Sequence, residues 1–166
     1  MRLIIITALL TFGLNAAETR SVEVRDISLD VPEHWKKQTP KSSMRVGQFA
    51  IGDKVDLVVF FFGAGGGGGV EANISRWIGQ FDAEGREVER ANGGSKQGDW
   101  EMVTIKGSYN KSVGPPIMRK TMKVSNAVVL GLILKSKAGS YFLKMNGPRD
   151  AVLAERDALL QSVGRD

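Results

Sequence analysis

Few residues of this chain have types and spacings that do chemistry. Between an apolar run and an amphipathic stretch, Phe62-Gly63-Ala64-Gly65-Gly66-Gly67-Gly68-Gly69-Val70 contains the spacing G-x-G-x-x-G at Gly63, Gly65 and Gly68. A glycine turn at a helix start offers free backbone N–H groups to a phosphate. Six glycines in seven positions satisfy that pattern almost automatically, and its context is missing. No strand ending in an acidic residue follows, and Val70-Glu71 stands where a P-loop has Lys-Ser or Lys-Thr. The plain reading is a flexible or positive-φ connection from strand to helix. The functional reading is an exposed, mobile loop that touches a ligand or a protein partner.

Just beyond the loop, Asn73, Arg76 and Gln80 lie at i, i+3 and i+7, along one flank of a helical stretch. That flank suits a structural network with the neighbouring loops, or a contact surface. Together with Gly65, Gly66, Gly67 and Gly68 it forms the candidate partner-binding surface.

Other constellations dissolve on inspection. The only histidine, His34, lacks the companions a metal site needs and reads as a turn residue. Ser108-Tyr109-Asn110-Lys111 matches S-x-x-K, but the companion motifs S-D-N and K-T-G are absent. Asp150, Glu155 and Asp157 read as solvated helix-face charges, and Glu87 and Glu89, flanked by Arg86 and Arg90, as an exposed ion-pair ladder. With no cysteine among 166 residues, disulfides, thiol nucleophiles and Cys-ligated metals are excluded. No catalytic residue, metal ligand or cofactor is assigned. A hydrolase or transferase built on unrecognised Asp or Glu chemistry is the alternative to a binding role.

The elements that must position these residues follow from periodicity. Alternation through Ile27, Leu29 and Val31 marks a strand closed by Pro32, with Trp35 in a turn and 36–43 as a connection. Met44 to Ile51 alternates again, and Gly52-Asp53 suits a hairpin into the continuous apolar run 56–62, a strand buried on both faces. Val70, Ile74, Trp77, Ile78 and Phe81 make the apolar stripe of an amphipathic helix. Residues 83–99 are polar and glycine-rich, with a short strand at 87–90. Trp100 to Tyr109 reads as a strand with one buried face. Strands at 118–124, 127–135 and 140–145 follow, and Gly147-Pro148 opens a second helix carrying Val152, Leu153, Leu159, Leu160 and Val163. Hairpin-length joins dominate, so the expectation is an α+β fold: a mainly antiparallel sheet with two packed helices.

The first residues read as an address. Arg2, an apolar stretch to Phe12 and the small residues Ala16-Ala17 have the layout of a secretory signal peptide, too short to span a bilayer. The expected organisation is a leader at 1–17 and one α+β domain at 18–166, periplasmic or secreted. Losing the leader removes Arg2 and leaves 22 basic and 18 acidic side chains. That balance is too mild for a nucleic-acid reader. The small basic clusters at Lys36, Lys37 and Lys41, and at Arg119, Lys120 and Lys123, read first as solvated faces and second as contacts to an anionic membrane surface.

Four segments carry a resemblance: Val31-Pro32-Glu33-His34-Trp35, Ser43-Met44-Arg45, Asn73 to Phe81, and Phe142 to Pro148. They are similar to landmarks of small exported bacterial proteins with the PsbP/Mog1-like fold. The resemblance implies an α/β/α sandwich and a binding or assembly role, and it brings no family active site. The expected function is therefore that of an exported, non-catalytic binding or accessory domain, its partner an unknown protein or small ligand of the cell envelope.

Overall fold

The computed structural model describes residues 18–114 and 116–164. The leader expected at 1–17 lies outside the described residues. Among the described residues, nine strands form two sheets. The strands β1 (Thr19–Val24) and β2 (Ile27–Pro32) form an antiparallel hairpin, with Val22 opposite Leu29 and Val24 opposite Ile27. The main sheet contains β3 (Trp35–Lys37), β4 (Arg45–Ile51), β5 (Val55–Phe61), β6 (Glu87–Gly93), β7 (Asp99–Ser112), β8 (Thr121–Ser136) and β9 (Gly139–Pro148). Its order is β3-β4-β5-β9-β8-β7-β6, with every neighbouring pair antiparallel. Helices α1 (Val70–Ile78), α2 (Arg149–Ala154) and α3 (Arg156–Ser162), and a 3-10 turn at Pro116–Met118, complete the described elements.

Because side chains alternate across a strand, the main sheet has two faces, and each builds a core. On one face, Leu57, Val59, Leu130, Leu132, Leu143 and Met145 meet the β1–β2 hairpin and the apolar sides of α2 and α3. On the other, Val103, Ile105, Val129, Ile133 and Phe142 meet Ile74 and Trp77 of α1. The result is the expected α+β sandwich, with an antiparallel sheet between helical layers.

The expected and observed elements differ in instructive places. Strand β1 escapes sequence reading because only Val22 and Val24 of its six residues are buried apolar groups. Trp35 is not in a turn: it opens β3, is fully buried, and donates its indole N–H to Glu155 Oε2 at 2.8 Å. Glu155 is accordingly not a solvated helix-face charge. Its side chain is 16% exposed, and its second oxygen meets His34 Nε2 at 2.9 Å. The single C-terminal helix breaks at this same residue into α2 and α3. Strand β7 is buried on both faces from Met102 to Ile105, because α1 covers the face that alternation alone leaves to solvent. The strands expected at 118–124 and 127–135 are one strand, β8. The gap between them is a bulge, where Asn126 takes φ 49° and the register against Gly107 and Tyr109 shifts. Glu87 and Glu89 do form an exposed ladder, but the cation they share is Lys106 of β7, and Glu87 also meets Arg149 at 3.5 Å. Arg90 instead binds Glu71 of α1 at 2.5 Å.

Candidate functional site

The glycine loop connects β5 to α1 through turns of left-handed backbone. Gly63, Gly65, Gly67 and Gly68 all have positive φ. At Gly67 the need is double: φ is 81°, and a Cβ would stand 2.6 Å from Phe62 Cδ2 and 2.7 Å from Phe142 Cε2. Asn73 fastens the loop from the helix. It is 1% exposed, and its Nδ2 donates to Gly67 O at 2.7 Å and Gly69 O at 3.0 Å. Its Oδ1 accepts from the Arg76 guanidinium. Among the candidate contact residues, Asn73 thus faces the interior, Gly66 and Gly67 are half-buried, and Gly65, Gly68 and Arg76 are exposed.

Gln80 leads elsewhere. It lies just past α1, where Gly79 N–H closes the helix on Ser75 O at 2.9 Å, and its Oε1 accepts from the Lys144 ammonium. Lys144 is on β9 between Phe142 and Asn146, so it points to the α1 side of the sheet. The sheet row there runs Gln48, Val58, Lys144, Gly131, Val103 from β4 to β7. The nine residues of α1 cover the Gly131 and Val103 end of this row. The Gln48, Val58 and Lys144 end stays open.

That opening is a cleft of about 690 Å³. Val58, Phe60, Lys144 and Asn146 belong to its floor strands, Gln80 closes the helix end, and Tyr109 and Lys111 come from the long β7–β8 hairpin. A smaller cavity of about 230 Å³ adjoins it, sharing Tyr109, Lys111 and Asn146. The Lys144 ammonium also donates to Tyr109 Oη at 3.0 Å and lies 5.2 Å from that ring's centre. Both its hydrogen-bond partners are neutral, and among the described residues it makes no ion pair. Desolvation, with the Arg76 and Lys111 charges nearby, lowers its pKa to about 8. Burial likewise pushes the Tyr109 phenol up to about 12. Asp56, the carboxylate in the lining, is held by Lys111 at 3.0 Å. Arg45 donates to Gln48 Oε1 at 3.0 Å and lies 6.0 Å from the Phe60 ring centre.

Of the candidate contact residues, Gln80 alone lines this cleft, while Arg76 acts on it only through its charge near Lys144. Sequence reasoning missed Lys144, although a signal was present: in Tyr141-Phe142-Leu143-Lys144-Met145 a lysine interrupts a strand whose neighbours are all apolar. It met Tyr109 and Lys111 in the S-x-x-K spacing and set them aside as a catalytic motif. They meet Lys144 and Asp56 through strand register, which local spacing does not encode.

The fold defined by these layers is the PsbP/Mog1-like fold. The Ran-binding protein Mog1p of Saccharomyces cerevisiae superposes with a TM-score of 0.51 at 9% identity, over 89% of this chain and 95% of that one. Cyanobacterial PsbP (CyanoP) of Synechocystis sp. PCC 6803 also gives 0.51, at 13% identity, over 90% of this chain and 94% of that one. No protein-family profile and no curated protein sequence matches the chain.

Proposed function

We propose that this chain is an exported, non-catalytic binding or accessory domain, residues 18–166 acting as one unit after loss of a leader at 1–17. It holds a protein or small ligand of the cell envelope on the α1 side of its sheet. One observation carries this reading: a helix of nine residues leaves much of that face open, and the opening is a cleft lined by converging polar groups. Mog1p, which shares the fold, is named for binding Ran, so the fold serves recognition of another protein elsewhere. The leader-like layout of residues 1–17 supports export. Among the described residues, no helix is long and apolar enough to cross a membrane.

The test is affinity capture from a native envelope extract, wild type against the Arg76→Ala/Gln80→Ala double variant, with circular dichroism confirming that both are folded. A partner retained by the wild type and lost by the variant supports the reading. Retention by both removes the Arg76 and Gln80 flank as the contact surface. Turnover that dies on replacing one Asp or Glu in a folded protein overturns the non-catalytic role in favour of a hydrolase or transferase.

A further inference from the structure

The cleft carries a chemical bias that narrows what fits it. Its charged lining residues are Lys41, Arg45, Lys111 and Lys144 against Asp56. Asp56 is neutralised by Lys111, so an excess of positive charge remains. Lys144 is the innermost of these cations, on the strand between the one that carries Val58 and the one that carries Gly131. It has a hydrogen-bonding shell of Gln80 and Tyr109 and, among the described residues, no counter-anion. A charge withdrawn from water is expensive unless an opposite charge meets it. Beside it the cleft has an apolar patch among polar groups: Val58 is buried on the adjacent strand, Phe60 lies one step along that strand's same face, and Met44 stands exposed in the rim.

We infer that the cleft binds an amphiphilic organic anion, its carboxylate or phosphate head against the Lys144 ammonium and its apolar body over Val58 and Phe60. The inference rests on the cleft being the recognition surface, and it names the chemistry recognised. The groups facing Lys144 are Arg76 from α1, Gln80 after it, Tyr109 and Lys111 from β7, and Asp56 from β5. Of these, Asp56 alone is anionic. An incoming acid therefore meets a cationic wall, and its oxygens take up the donor capacity that Gln80 and Tyr109 leave on the ammonium. Because the anion pairs with the protonated amine, affinity falls as Lys144 titrates.

The test is calorimetric titration of the purified protein with octanoate and octyl phosphate, with acetate and octan-1-ol as half-probes. Octanoate or octyl phosphate is expected to bind at least tenfold more tightly than octanol or acetate, and the tighter of the two identifies the head group. Lys144→Met should erase the preference over octanol, Lys144→Arg should keep it, and affinity should fall about tenfold per pH unit in alkaline solution. Octanol binding as tightly as octanoate overturns the proposal, as does octanoate binding that survives Lys144→Met or no uptake of either amphiphile. If neither is taken up while partner capture still depends on Arg76 and Gln80, the anion site fails and the broader binding role stands.

Discussion

The indole of Trp77 packs directly against Gly131: a Cβ built at Gly131 would stand 2.2 Å from Trp77 Cε3. This close approach seats α1 on the sheet, and it sets the helix end so that Gln80 reaches Lys144 on the neighbouring strand. The cleft exists because a glycine in β8 lets a tryptophan in at one end of a row while a lysine occupies the next position.

Gly131→Ala should therefore act on both stability and the cleft. The added methyl overpacks a filled core, a change that costs about 1–3 kcal/mol. Urea unfolding should show the loss, and amide exchange should show it concentrated in α1 and at Gln80.

The glycine loop separates two kinds of position. Gly67→Ala meets both a left-handed backbone and the rings of Phe62 and Phe142, whereas Gly65, at φ 71°, has open space around a Cβ. Gly65→Ala should cost about 1 kcal/mol from backbone strain alone, and Gly67→Ala distinctly more. Equal midpoints in denaturant for the two variants would show that the loop is not held as described.

Trp35 and Glu155 tie the first strand of the main sheet to the break between α2 and α3. Glu155→Ala leaves a buried indole N–H without an acceptor, at a cost of about 1–3 kcal/mol. Glu155→Gln keeps an acceptor and should lose less. A double-mutant cycle with Trp35→Phe should give a clear coupling energy.

Alkaline pH provides a signed test of Lys144. Its folded pKa of about 8 lies below the ordinary 10.5, so the unfolded chain binds the proton more tightly. The penalty is full below pH 8 and fades as pH rises toward 10.5. The phenols of Tyr109 and Tyr141 run the other way: raised from 10 to about 12, they favour the fold below pH 10, and that support is lost as pH rises through 12. Stability should rise from pH 8 to a maximum near about pH 10 and then fall. In Lys144→Met the rise should vanish and the fall remain.

If the leader is removed as proposed, protein recovered from the envelope should begin at Ala17 or Glu18, and intact mass measurement would read this directly. Retention of Met1 in the exported fraction would refute cleavage.

Much of this molecule is local, and its sequence by itself determined that part. The alternation in 44–51, the apolar run 56–62 and the stripe from Val70 to Phe81 each mark an element, because burial follows the period of the backbone. But Met44 and Phe62 are exposed, and the run expected to be buried on both faces opens into the cleft on one of them. The glycine loop is likewise written locally, in residues that tolerate positive φ. The α+β class follows from those elements and their short joins. Tertiary structure decided what local pattern does not contain. Trp35 and Glu155 are far apart in sequence and become partners only when the break between α2 and α3 is brought beside β3. The bulge at Asn126 makes one strand of two apparent ones because β7 pairs across it. Lys144 gains its character from Gln80, Tyr109 and Lys111, which strand order and register bring beside it. A lysine in solution is an ordinary cation, and walls assembled from distant segments turn this one into the centre of a candidate binding site.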